Sequence, residues 1–167
     1  LYEDENAVRE SMVDMLGLTP EAKVLEVGCG TGRDSFRLAR RLGPQGRLHM
    51  QDLSAGMVHA CVRKMSGISA TSQFACGLEY SISNALSLPF PDGAFDAVYH
   101  FGGFNQFGDL AAGAAELTRV AKSGGRILIG DEAVAPWLRG TEFEAIVTTN
   151  NPLFKAQAPL HVLPGGA

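Results

Sequence analysis

Apolar positions along this chain recur with two alternating periods. Residues 5 to 17 place Val8, Met12, Met15 and Leu16 near helical spacing with charges between them, and Gly17 follows as a stop, so a leading amphipathic helix is predicted. After the Thr19-Pro20 turn, Lys23 to Val27 reads as a short apolar strand running into Gly28-Cys29-Gly30-Thr31-Gly32. A helix from about Asp34 to Leu42 follows, with Phe36, Leu38, Ala39 and Leu42 able to face a core. The Gly43-Pro44-Gln45-Gly46 turn introduces a second strand, Arg47 to Gln51, ended by Asp52, and Ser54 is placed to N-cap a helix through Met65. A loop around Gly67 to Gly77 precedes a third strand at about Leu78 to Asn84, and the Pro89-Phe90-Pro91-Asp92-Gly93 turn precedes a fourth at Phe95 to Phe101. Residues 109 to 122 are alanine-rich and helical. Ser123-Gly124-Gly125 then turns into Arg126 to Gly130, an apolar fifth strand of the type buried on both faces.

Strands alternating with helices at this spacing imply right-handed crossovers and a mostly parallel sheet covered on both sides, which is a doubly wound, Rossmann-like α/β fold. A single domain over 1–167 is expected, with a leading helix in 1–18, a core in 20–132 and a C-terminal extension in 133–167. The extension carries Pro136, Pro152, Pro159 and Pro164, and its pattern supports one helix, near Trp137 to Val147. Sheets of this kind bind ligands beyond the carboxyl ends of their strands, where Gly28 to Gly32, Asp52, Asn84 and His100 all fall.

A glycine turn between strand and helix lets the backbone approach a ligand and aims free amides at it from the positive end of the helix. The dinucleotide fingerprint is G-x-G-x-x-G, whereas Gly28, Gly30 and Gly32 give G-x-G-x-G and Arg33 stands at the third fingerprint position, which disfavours NAD. Asp52 ends the second strand 20 residues after Gly32, where a carboxylate can accept from both hydroxyls of a ribose. The competing reading is that Asp52 caps the following helix.

Composition narrows the partners. Nearly half of the 167 residues are hydrophobic, enough for one substantial core. The formal net charge is −4 and the Lys and Arg residues are dispersed, so the stripe that long nucleic-acid contacts need is missing and a small-molecule substrate is expected. Cys29, Cys61 and Cys76 are odd in number and widely spaced, which argues against disulfides and metal sites and for a cytoplasmic setting. No apolar run approaches the roughly 20 residues of a membrane span. The chain starts at Leu1 without an initiator methionine, as a piece of a longer protein would.

Four stretches in order resemble the class I S-adenosylmethionine-dependent methyltransferase superfamily, in its ubiquinone/menaquinone-biosynthesis-like (type 11) branch. Val24-Leu25-Glu26-Val27-Gly28-Cys29-Gly30-Thr31-Gly32 is similar to that family's first motif, and Gln51-Asp52-Leu53-Ser54-Ala55-Gly56-Met57 to its ribose-binding second. Leu88-Pro89-Phe90-Pro91-Asp92-Gly93-Ala94-Phe95-Asp96-Ala97-Val98 resembles its approach to the fourth strand, and Glu116 to Arg126 its turn into the fifth. The resemblance implies S-adenosyl-L-methionine as cofactor and S-adenosyl-L-homocysteine as product. Glu26 and the backbone of Gly28, Cys29, Gly30 and Gly32 would hold the methionine part, Asp52 the ribose, and Leu53 and Met57 would flank the adenine. Asn84 stands where an acidic residue often receives the adenine amino group, with the amide of Ala85 reaching the ring. Members usually continue past the fifth strand into an antiparallel pair, which this chain is expected to lack, leaving a sheet edge exposed.

Methyl transfer from a sulfonium is an in-line displacement that positioning and exclusion of water can drive, so no catalytic triad is needed and none is found. His100 is the one candidate base, ending the fourth strand beside the expected methyl group; the alternative is that it only shapes the cofactor pocket. Cys29 reads as a small packing residue, Asn151-Pro152-Leu153-Phe154 as a turn, and His49, His59 and His161 as structural or solvent-facing. Two rival functions remain: a module that binds S-adenosylmethionine without turnover, and a nicotinamide-dependent oxidoreductase.

Overall fold

The computed structural model describes residues 4–69, 74–131 and 133–155. Its strands are β1 (Lys23–Val27), β2 (Arg47–Asp52), β3 (Gly77–Ile82), β4 (Phe95–Phe101) and β5 (Ala121–Gly130), and its helices α1 (Glu5–Met15), α2 (Ser35–Ala39), α3 (Ala55–Ser69), α4 (Leu110–Val120) and α5 (Glu142–Asn150). The five strands form one parallel sheet in the order β3-β2-β1-β4-β5. This is the doubly wound sheet that the alternating pattern predicts.

Period-two alternation divides the core in two. Val24, Leu48, Met50, Ala97 and Tyr99 point to the face where Val13, Leu38, Cys61 and Met65 of the first three helices pack. Leu25, Val27 and Val98 point to the other face, against Ala114, Leu117 and Val120 of α4. The chain winds from β1 to β2 and β3 on one side and crosses to β4 and β5 on the other. The strand order therefore reverses between β1 and β4, and their carboxyl ends open on a crevice.

Several elements differ from the sequence expectation. In α1, Met15 is 64% exposed and Val13 is buried instead, because the helix turns Arg9, Val13 and Leu16, spaced i, i+4 and i+7, toward α2. Helix α2 ends at Ala39, and the chain tightens to i→i−3 bonding as far as Leu42, whose amide reaches Ala39 O at 3.2 Å. Helix α3 continues past Met65 to Ser69, through Gly67, which weakens a helix without ending one. Strand β3 stops at Ile82, and Asn84 lies beyond it in an isolated bridge to Ser87.

Strand β5 is not buried on both faces: it is an edge strand, with Lys122, Ser123, Gly124, Arg126 and Ile127 exposed. The pairing with β4 jumps from Phe95↔Ala121 to Ala97↔Arg126, so Ser123-Gly124-Gly125 is a bulge inside the strand rather than its entrance. Among the described residues no strand follows it. The expected helix near Trp137 divides into a 3-10 turn over Pro136–Leu138 and helix α5. The boundary is a capping arrangement in which Thr141 Oγ1 accepts from the Glu144 amide at 3.4 Å and Glu144 Oε2 accepts from the Gly140 amide at 2.5 Å. Pro152–Lys155 forms a 3-10 turn, while His161 and the end of the C-terminal extension lie outside the described residues. No described helix is long and apolar enough to cross a membrane.

Helix α3 comes close to the chain at Gly32, which has φ +79° and where a Cβ would stand 2.9 Å from Cys61 Sγ. Gly32→Ala is expected to lower the unfolding free energy by about 2–4 kcal/mol, from left-handed strain and overpacking together. Urea denaturation reads this directly; a loss below roughly 0.5 kcal/mol would mean that α3 gives way freely.

Candidate functional site

The crevice at the strand ends is a cleft of about 880 Å³. Its floor is the loop that leaves β1. The Gly28 amide donates to Gln51 Oε1 at 3.4 Å, the Cys29 amide to Gln51 O at 2.9 Å, and the Gly30 amide to Asp52 Oδ2 at 2.9 Å, so the end of β2 holds the loop open. Gly28 has φ +72°, and a Cβ there would lie 3.3 Å from the His100 ring, so only glycine lets that ring pack against the loop. Glu26, Gly28, Cys29 and Gly30 line the cleft, whereas Gly32 does not: it faces α3 and serves packing.

Asp52, Leu53, Met57, Asn84 and Ala85 line the same cleft from the β2 and β3 ends. Both oxygens of Asp52 are engaged, Oδ2 by the Gly30 amide and Oδ1 by the Ser54 amide at 2.8 Å, so the carboxylate ties the two loops together. Each oxygen retains a lone pair for a ligand hydroxyl. Leu53 and Met57 are 70% and 44% exposed, an apolar rim of the sort that marks a binding surface. Asn84 Oδ1 accepts from the Leu86 amide at 2.9 Å, in an Asx-turn, so a contact to a ligand amino group must use its second lone pair.

His100 is the last residue but one of β4 and is 2% exposed. Its Nδ1 lies 2.8 Å from Val27 O, and because a carbonyl only accepts, Nδ1 carries the proton and Nε2 keeps a lone pair. Burial pushes its pKa below the ordinary value, which favours the neutral ring. Phe104 and Phe107 surround it, with ring centroids 5.8 and 5.2 Å away, and Nε2 is buried without a hydrogen-bond partner. The loop carrying these rings is fixed by Asp131 at the end of β5, which accepts from the Gly103 and Asn105 amides at 2.8 Å each.

Cys29 and the remaining histidines stay outside the chemistry. A hydrogen bond to Cys61, together with burial, pushes the Cys29 thiol up, so it remains a protonated packing group. His49 bonds Ser81 Oγ at 2.8 Å and packs on Phe90, and His59 is exposed.

Several cleft residues escape the sequence reading. Gln51, 1% exposed, supports the glycine loop from below. Arg9 reaches in from α1, ion-paired to Asp34 and stacked 4.1 Å over the Phe101 ring, and Asp34 lines the cleft beside it. The only local signal for Arg9 is a cation on the same helix face as Val13 and Leu16.

Residues 24–125 match the family described as methyltransferase domain. A ubiquinone/menaquinone biosynthesis C-methyltransferase of Stenotrophomonas maltophilia (strain R551-3) is 34% identical over 122 residues, covering 72% of this chain and 47% of the relative. A demethylmenaquinone methyltransferase of Beutenbergia cavernae is 33% identical over 153 residues, covering 89% of this chain and 57% of the relative. Among solved structures, geranyl diphosphate C-methyltransferase from Streptomyces coelicolor A3(2), in complex with Mg2+, geranyl diphosphate and S-adenosyl-L-homocysteine, superposes with a TM-score of 0.70 at 21% identity, covering 95% of this chain and 58% of that one. The chain spans about half the length of the curated relatives it matches.

Glu26 provides a pH test of the cleft. It is 3% exposed, accepts from Ser35 Oγ, and is pushed well above the usual carboxylate range by burial. The fold therefore holds a proton that the unfolded chain releases, and stability is lost as pH rises from the unfolded value toward the folded one. Glu26→Gln, which keeps an acceptor for Ser35, is expected to remove this loss. Its stability relative to wild type should increase between pH 4 and pH 8 in urea titrations; an unchanged difference would show that Glu26 is ionised in the fold.

Proposed function

Because this chain belongs to the methyltransferase domain family and resembles the ubiquinone/menaquinone-biosynthesis-like branch of its class I members, we propose that it transfers a methyl group from S-adenosylmethionine to a small-molecule acceptor. The observation that carries this reading is the glycine loop tied to Asp52 at the neighbouring strand end, in one cleft with Glu26, Asn84 and His100. The cleft also fits a ligand on physical grounds. The buried His100 side chain lines it, and His100 Nε2 has no hydrogen-bond partner. Buried polar groups are rarely left this way unless something absent satisfies them.

Bound S-adenosylmethionine supplies a sulfonium-activated methyl group. Asp52 would accept from the ribose hydroxyls with its remaining lone pairs, Leu53 and Met57 would flank the purine, and the Gly28 to Gly30 backbone would hold the methionine part. Neutral His100 holds a lone pair at Nε2 and takes a proton from an acceptor that must lose one. Phe104 and Phe107 keep water from the reacting atoms. The dispersed charge and net −4 support a small acceptor over nucleic acid, and three free cysteines fit the proposed cytoplasmic setting.

The test is calorimetric titration with S-adenosylhomocysteine, with NADH as control. Saturable binding that Asp52→Ala weakens about tenfold or more, roughly 1.4 kcal/mol, is expected, with no NADH saturation. NADH binding in place of the nucleoside would overturn the reading in favour of an oxidoreductase. Nucleoside binding without turnover across a panel of phenolic, amine and enolisable acceptors would leave a binding module.

A further inference from the structure

Two cysteines meet behind the glycine loop, and methyl transfer uses neither thiol. Cys29, in the loop that leaves β1, lines the cleft and is 4% exposed; Cys61 of α3 is fully buried against it, and a hydrogen bond joins the two side chains. Cys61 Sγ also lies 3.7 Å from Met50 Sδ and 3.7 Å from Ser35 Oγ, which itself donates to the cleft carboxyl of Glu26. The pair is chemically unequal. The hydrogen bond from Cys29, and after it Ser35 and Lys64, draw the Cys61 thiol down to about 7 against its burial, while the Cys29 thiol is pushed up. A sulfur that titrates near neutrality beside one that keeps its proton is the arrangement of an attacking thiolate and a thiol that resolves what it forms. The third cysteine, Cys76, donates to Ala39 O at 3.7 Å, and burial pushes its thiol up.

We infer that Cys29 and Cys61 form a dithiol that hydrogen peroxide oxidises to a disulfide, and that this bond closes the donor cleft. The Cys61 thiolate attacks one peroxide oxygen, the O–O bond breaks, and the hydroxide that leaves becomes water with the proton Cys61 has given up. The Cys29 sulfur then attacks the sulfenic acid at Cys61, the S–O bond breaks, and a second water leaves with the Cys29 proton. The two thiols lose two electrons, and one peroxide is reduced to two waters. Burial selects the oxidant: a reagent close to water in size reaches Cys61 past the cleft, whereas a bulky one such as oxidised glutathione does not. The effect on the cleft rests on the donor reading above. A covalent S–S bond is shorter than a hydrogen-bonded contact between sulfurs, so it draws Cys29 toward α3. Gly28 and Gly30 flank Cys29, with φ +72° and +53°, and theirs are the amides held by Gln51 and Asp52. Displacing Cys29 turns both glycines and breaks those bonds, so the loop and the Asp52 carboxylate no longer face the donor together.

Thiol counting and donor binding test the two halves of this inference separately. After brief treatment with hydrogen peroxide, the chain unfolded in urea is expected to show one reactive thiol in place of three and a mass lower by two hydrogens, with peptide mapping joining Cys29 to Cys61. Oxidised glutathione should leave all three thiols. The peroxide-treated chain is expected to bind S-adenosylhomocysteine about tenfold or more weakly than the reduced chain, and dithiothreitol should restore both thiols and affinity. Cys61→Ala should keep donor binding and lose its sensitivity to peroxide, and Cys76→Ser should keep both. Three free thiols after peroxide overturn the inference, as does a disulfide that includes Cys76 or a Cys29–Cys61 disulfide that leaves the affinity unchanged. Sensitivity that survives Cys61→Ala or disappears with Cys76→Ser overturns it as well. Failure of the reduced wild type to bind S-adenosylhomocysteine overturns the donor reading and with it the closure of the cleft, and the thiol count then decides the disulfide alone.

Discussion

The reversal of strand order between β1 and β4 is the constraint on which the rest of the molecule depends. Crossovers carry the chain from β1 through α2 and α3 on one face, and from β4 through α4 on the other. No crossover helix spans the carboxyl ends of the two central strands, so a crevice opens there, and the residues leaving β1 must turn sharply at its edge. Gly28 makes that turn with the His100 ring against it, and Gly32 brings α3 in behind. The same geometry sets β2 beside β1, so that Asp52 and Gln51 arrive in register to bond the loop amides. The loop is thus organised before any ligand arrives, which lowers the ordering that binding must impose.

Strand β4 supplies both walls of the cleft by simple alternation. Tyr99 and Phe101 point to the face of α1 and α2, where Arg9 stacks, while Val98 and His100 point to the α4 side, toward Phe104 and Phe107. A one-residue slip in β4 would exchange the charged wall for the aromatic one. The register Val27↔His100 that prevents this is reinforced by the Nδ1 bond to Val27 O, so the contact that sets the histidine tautomer also fixes the strand.

Local patterns made much of this legible in the sequence. The strand, glycine turn and helix over 23–39 are specified by neighbours in the chain, as is the placement of Asp52 at the end of the next strand, so reading them needs no tertiary information. What stayed hidden depends on distant partners. Arg9 is one charged residue on a charged helix until Asp34 and Phe101 meet it. The apolar run Ile127 to Ile129 looks like a strand buried on both faces, yet its exposure is decided by its place at the sheet edge. Gly32 belongs to a ligand-binding pattern and also packs on α3, a close approach of Cys61 that cannot be read from spacing.

Charge on the two sides of the sheet is arranged unequally. Helix α1 buries only Val13 within it and Leu16 at its end, little apolar surface for a helix of its length, and meets the α2 segment largely through Arg and acidic side chains. Exposed ion pairs contribute little each and are screened by salt, whereas the pairing of Arg9 with Asp34 is shielded from solvent. Helix α4, by contrast, is held by Ala114, Leu117 and Val120 against Leu25, Val27 and Val98. The α4 wall is therefore the rigid one and the α1 wall the weaker one.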